Sequence, residues 1–353
     1  MALLYIDGFE GYTNVTDITR VGSGEPRFTY IHSGNSLSST IYRTAQVTPA
    51  NSRSLYADTS MPVDFKIPAR TEFIMGLAVY IVSNNTSVLS VWNVGNTSLS
   101  SQGVCLAYRP SSNTFFIYTA GTNGAPGTLL GTASGTYGQN TWHYIELRLK
   151  LGTTTGEAEL KINGIQVLNL TNINTATGSI TAYSAMGKAS TNVVEAYYDD
   201  LYICDTSGSV NNTFLGPISV YTLMPTSNAS STQLTPVGAA SNWQAVDEPT
   251  ADTTTYVETS TTGHRDYYNF ESLPAGVSSV FGVLTRAKST TPDNGGRRVR
   301  LNFKNGANVL SSAARLLTLG NWLYEYFIAE TAPDGSAWSK TSVDSTEAGV
   351  EAQ

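Results

Sequence analysis

The chain has 353 residues, of which 41% are hydrophobic and only 13% charged, and it carries a formal net charge of −7. Its apolar share, with 20 Tyr and 5 Trp, excludes a disordered chain, which would pair low hydrophobicity with high charge and few aromatics. The acidic balance without a basic run excludes a nucleic-acid footprint, no run approaches the ~18 apolar residues of a membrane helix, and the length suggests two domains of roughly 150–200 residues each.

The opening Met1-Ala2-Leu3-Leu4-Tyr5-Ile6-Asp7 is apolar but is stopped by Asp7. It lacks a basic flank and a small-residue cleavage site, so it is not read as a signal peptide and synthesis in a cytoplasm is expected. Residues 73–82 form an unbroken apolar run, as expected of a strand buried on both faces. An Asn84-Asn85 turn leads to a strand over 88–94, and strands over 103–108 and 114–118 flank a hairpin at Pro110-Ser111-Ser112-Asn113. Cys105 and Cys204 each lie in an apolar strand-like run and read as buried small hydrophobes; a bridge would require adjacent strands. The stretch from Trp142 to Lys150 alternates, with Tyr144, Glu146, Arg148 and Lys150 on one side. Asn163-Gly164 between two alternating runs predicts a type I′ hairpin, because that turn needs positive φ at both central residues. A strand over 193–204 ends in the loop 205–209.

Beyond Gly216-Pro217 the texture changes. Residues 225–255 read as loop, with Pro225, Pro236 and Pro249 among Ser, Thr and Asn. Strands resume at 280–287 and 298–303, with Asp293-Asn294-Gly295-Gly296 as the turn between, and again at 324–330. Alternation sends Arg298 and Arg300 to one strand face and Arg297 to the other. Only Val343–Ala348 reads as helical, with Ser342 as its N-cap and Gly349 as its stop.

Four pieces in order carry a resemblance: Tyr5-Ile6-Asp7-Gly8-Phe9-Glu10-Gly11-Tyr12, the Trp142–Leu147 strand, the Glu159–Gly164 hairpin, and Asp199-Asp200-Leu201-Tyr202-Ile203-Cys204-Asp205. Together they resemble a concanavalin A-like (laminin-G-type) jelly roll, in which the first strand pairs near the last. The stretch from Asp199 to Leu223 resembles a junction common in structural proteins of tailed phages. The resemblance continues through Asn242-Trp243, Thr254–Val257, Trp338 and Glu347–Val350. It implies an all-β protein of two tandem β-sandwich domains: a jelly roll over 1–217, and a β-rich unit over 218–353 with a short terminal helix. It also implies a virion location and other virion proteins as partners.

Catalytic motifs are missing. Laminarinase-like members of the fold place carboxylates as Glu-x-Asp-x-x-Glu on one strand, and glycoside hydrolysis needs two carboxyls ~5–9.5 Å apart. No such spacing occurs; Glu157 and Glu159 share a strand face and read as a solvated edge. His32, His143 and His264 are scattered without zinc spacing, and no nucleophile elbow or phosphate-binding glycine loop is present. Asn-x-Ser/Thr triplets such as Asn84-Asn85-Thr86 and Asn96-Thr97-Ser98 are expected by chance. Adjacent Asp199 and Asp200 point to opposite strand faces, so neither makes a site alone; one of them could ligate Ca²⁺ with Asp205 or Asp7. Tyr gives large contact area at little entropic cost, which makes Tyr197, Tyr198, Tyr267, Tyr268 and Tyr324, with Tyr202 and Tyr326, candidate contacts to glycan or protein.

The expected function is therefore a non-catalytic structural protein of a phage particle. It would assemble as a trimer or other cyclic oligomer, on the tail or as a capsid decoration. The alternative is a receptor-binding, lectin-like adhesin that recognises host-surface glycan.

Overall fold

A computed structural model describes residues 2–12, 14–20, 27–31, 36–47, 52–57, 63–67, 70–82, 88–95, 103–121, 126–175, 183–186 and 195–353. The Asn84-Asn85 turn, the triplets at Asn84 and Asn96, and His32 lie outside the described residues.

The protein is nearly all β and of the β-sandwich, jelly-roll class. One sheet runs in the order Ile165–Ile173, Gly156–Ile162, Trp142–Lys150, Glu72–Ile81, Ala196–Asp205, Ser54–Ala57, Ser36–Ser38. Strand Leu3–Asp7 pairs antiparallel with Ala196–Asp205, so the first strand returns beside the last, as the resemblance implies. The facing sheet runs Pro126–Thr132, Thr114–Ala120, Gly103–Arg109, Leu89–Gly95, Tyr183–Met186, Val63–Lys66, Arg27–Ile31. The two sheets close on one core, to which Glu72–Ile81 contributes Phe73, Met75, Leu77, Val79 and Ile81. Ile74 and Ala78 of the same strand belong to a second cluster on the opposite face. The unbroken apolar run is thus explained: this strand is buried on both sides.

Asn163 and Gly164 have φ of 54° and 80°, which is the hairpin read from their identity. Cys105 and Cys204 are both buried and free, and they lie in different sheets. Burial pushes the Cys105 thiol up to about 12.

A third sheet follows, in the order Pro225–Thr232, Arg265–Phe270, Glu347–Ala352, Arg298–Asn305, Asn308–Ser311. A two-stranded sheet, Val283–Ser289 with Leu323–Ala329, packs near it through Phe303, Phe327, Ala329 and Trp338. Two expectations are corrected here. Residues 225–232 are a strand despite Pro225, which opens the strand at its first position, where a missing N–H is tolerated. The terminal helix lies earlier than 343–348 and shares only Val343 and Asp344 with that range: it is Lys340–Asp344, capped by Ser339, with Ser342 at its third position. Glu347–Ala352 is a strand with a partner on either side.

No strand beyond Asp205 joins the first two sheets among the described residues, but side chains from beyond it complete their packing. Tyr324 sits in the main core and Ile328 in the second cluster. Glu330 accepts from the backbone N–H groups of Ala2 and Leu3, at 3.0 and 2.7 Å.

Candidate functional site

The first sheet's outer face has two regions. At one end a row of rings crosses four strands in direct register: Trp142 faces Tyr80, Tyr80 faces Tyr197, and Tyr197 faces Tyr56. Ring centroids are 5.6, 6.0 and 4.9 Å apart along the row, and all four side chains are half-buried. At the usual strand spacing the row spans about 14 Å. The Tyr56 hydroxyl donates to Glu195 at 2.9 Å, which fixes the last ring. Sequence reasoning singled out only Tyr197. Tyr56, Tyr80 and Trp142 become neighbours through strand register, which no local pattern reveals.

The middle of the same face is covered by the segment from Phe214 to Thr222. Tyr144 and Glu146, which the alternation places away from the core, are buried beneath it. The backbone of the covering segment is read by side chains of the sheet and its loops. Leu215 N–H donates to the Tyr202 hydroxyl at 3.3 Å and Gly216 N–H to Glu146 at 2.8 Å. Val220 N–H donates to Asp200 at 2.7 Å and Thr222 N–H to Gln46 Oε1 at 2.6 Å. In the other direction, the carbonyl of Ile218 accepts from Arg43 and that of Val220 from Gln46.

The aspartates serve this construction. Asp199 accepts from the backbone N–H groups of Arg43, Thr44 and Asp200. Asp200, which has a φ of 52°, accepts from the Arg43 guanidinium, the Thr44 hydroxyl and Val220 N–H. Burial, then the charge of Asp200, pushes the Asp199 carboxyl well up. Burial likewise raises Asp200 against the opposing pull of Arg43. Glu10 is raised by burial and by Asp199, and it accepts from Gln46 at 2.9 Å. Asp205 stands apart with Arg70 and Ser207; burial pushes its carboxyl up, but those hydrogen bonds leave it below the ordinary value. Asp7 accepts from the Tyr5 and Tyr12 hydroxyls and from Phe9 N–H.

The calcium expectation at Asp199, Asp200 and Asp205 is corrected accordingly. Those carboxylates already face N–H and O–H donors, the cation beside Asp200 is Arg43, and Asp205 is drawn elsewhere. Among the described residues no three His, Cys, Asp or Glu side chains converge as a ligand set.

Most of the contact tyrosines are corrected too. Tyr198 is buried with its hydroxyl on the Val91 carbonyl, and Tyr202 is buried beneath the covering segment. Tyr268 is buried with its hydroxyl on Asp266. Tyr267 and Tyr324 are buried with no hydroxyl partner among the described residues. Alternation placed these rings on strand faces, but both faces of their strands are covered. His143 packs against Tyr137 with Nε2 2.7 Å from the Gly138 carbonyl. Glu157 pairs with Lys150, a surface ion pair of the modest kind.

Glu325 offers a pH test. Burial pushes its carboxyl up to about 6 against the opposing charge of Arg315. The folded state therefore binds this proton more tightly than the unfolded chain. Its contribution to stability is full below the ordinary carboxylate value and is lost as pH rises through about 6. Glu325→Gln should melt with the wild type near pH 4 and above it near pH 8. An offset independent of pH would contradict the assignment.

No protein-family model and no curated protein matches the chain. Among solved structures it is similar to an endo-β-1,4-glucuronan lyase from the fungus Trichoderma reesei, at 12% identity and TM-score 0.40, over 57% of this chain and 94% of that one. It is similar to domain 4 of AbnA, a GH43 extracellular arabinanase from Geobacillus stearothermophilus solved with arabinotriose, at 11% identity and TM-score 0.35, over 58% and 92%. It is also similar to the carbohydrate-binding module CBM66 from Bacillus subtilis, at 6% identity and TM-score 0.32, over 49% and 97%. Likenesses at this level do not bear on function.

Proposed function

We propose that the protein is a non-catalytic structural component of a tailed-phage particle, assembled by protein contacts on the tail or as a capsid decoration. One observation carries this reading: the ionisable groups best placed for chemistry are spent on holding the first sandwich to the chain that follows it. Asp200 and Glu146 bind the covering segment, and Glu330 binds the N-terminal strand. The ordered resemblance from Tyr5 to Tyr12 and from Asp199 to Leu223 supports the phage setting. In this reading residues 1–217 and 218–353 are two β units joined by a buried seam. Copies associate as a trimer or other cyclic oligomer, and the host cytoplasm is where the chain is made before it joins the virion. Sedimentation of purified particles, divided into heads and tails and probed for this chain, tests it.

The aromatic row favours a second reading, a lectin-like adhesin. The half-buried rings, tilted 41–79° to one another, present a partly apolar strip that saccharide faces can pack against. Tyr197→Ala and Trp142→Ala should each abolish glycan-array signal while leaving the melting temperature within a few degrees. An array without signal for the wild type would remove the adhesin and leave the structural reading standing.

A further inference from the structure

The sheet of Val283–Ser289 and Leu323–Ala329 has only two strands among the described residues. Its ladder runs unbroken from Val283 opposite Ala329 to Ser289 opposite Leu323. Tyr324 N–H points away from that ladder and donates to the Arg20 carbonyl at 2.7 Å. In antiparallel pairing, facing residues turn their backbone groups either both inward or both outward, in alternation. Tyr324 faces Lys288, so Lys288, Arg286 and Leu284 turn their N–H and C=O groups outward on the far edge. Those six groups have no hydrogen-bond partner among the described residues.

The strand is half-buried along its whole length, so this is no free surface edge. It opens on a groove of about 2040 Å³. Its lining includes Ile218 and Val220 of the covering segment and Leu301 and Val350 of the third sheet. A two-stranded sheet is marginal by itself, and an unpaired edge is a template for another strand.

The chemistry of the occupant follows from charge. The strand carries Arg286 and Lys288 and no acid. Lys288 Nζ is engaged by the Ala251 carbonyl at 2.8 Å. Arg286, at the centre of the edge, lies over the Tyr12 ring at 4.4 Å and the Tyr324 ring at 5.2 Å. Its guanidinium makes no direct hydrogen bond or ion pair among the described residues, and the negative charge that acts on it, Asp7, already accepts from Tyr5, Tyr12 and Phe9. An added strand would set one side chain beside it, and a carboxylate there completes the pair.

We propose that the outer edge of Val283–Ser289 is a strand-addition site for an extended segment of a partner protein bearing an acidic side chain opposite Arg286. The inference deepens the assembly reading by naming where a partner docks, and its test does not depend on where the chain sits in a particle. The probes are a blocked peptide Thr-Val-Thr-Glu-Thr-Val-Thr and its Lys-centred analogue, added to the full chain. Amide hydrogen exchange should slow at Leu284, Arg286 and Lys288 with the Glu probe. That probe should bind about tenfold more tightly than the Lys analogue.

Lys288→Pro removes an outward N–H without touching the ladder, whereas Lys288→Ala keeps it. The proline variant should bind about tenfold more weakly than the alanine variant. If the proline variant melts early, the wild-type exchange map decides. Unchanged exchange at all three amides overturns the proposal, as does equal affinity of the two variants. Slowing on raising protein concentration alone would make a second copy the occupant and overturn the assignment to a partner protein.

Discussion

Asp200→Ala should destabilise the protein by about 3–5 kcal/mol, because removing one partner of a buried ion pair leaves the other without its charge. Asp200 is fully buried and takes three donors: the Arg43 guanidinium, the Thr44 hydroxyl and Val220 N–H. The variant keeps the strand but leaves the Arg43 guanidinium with only the Ile218 carbonyl and the Tyr144 ring, and frees the covering segment at Val220. Chemical unfolding should show the loss, and amide exchange should quicken first at Val220 and its neighbours. Asp200→Asn keeps the shape and one acceptor, so it should lose less. Exchange at Val220 unchanged in Asp200→Ala would show that the segment is held by its apolar contacts instead.

Gly349→Ala should cost about 3 kcal/mol, at the upper end of what overpacking does. Gly349 lies in Glu347–Ala352, paired with Arg265–Phe270 on one side and Arg298–Asn305 on the other. A Cβ there would lie 1.9 Å from the Asp266 carbonyl oxygen and 2.9 Å from the Tyr267 Cα. Both are backbone atoms of a paired strand, so no rotamer change relieves the clash. The neighbouring Asp266 side chain makes yielding harder: it accepts from Gln233 N–H, Leu234 N–H, Asn242 and the Tyr268 hydroxyl. Thermal unfolding followed at the third sheet should show an early transition in the variant. A melt equal to that of the wild type would mean that the two strands do not approach this closely.

Local patterns made much of the fold legible. The run from Phe73 to Ile81 announced a strand covered on both faces, and Asn163-Gly164 announced its hairpin. The tail misled because Glu347-Ala348 after Ser342 fits a helix start, and the demand met by Gly349 comes from a strand eighty residues earlier. Pro225 suggested loop because its rank as first residue of a strand depends on its partner, Phe270. The site was less legible for the same reason. Tyr144 and Glu146 alternate as an outward face, and only residues 214–222 make that face an interior. Tyr197 was visible as an aromatic on a strand, but its row with Tyr56, Tyr80 and Trp142 is a product of register across segments far apart in sequence.

The proposed role predicts a location for the chain. Particles purified from producing cells, divided into heads and tails by sedimentation and probed for this chain, test the role most directly. A fixed number of copies per particle, moving with one of the two fractions, is the result expected of a structural component. The chain left wholly in the soluble fraction, or a purified chain that cleaves a polysaccharide, would contradict it.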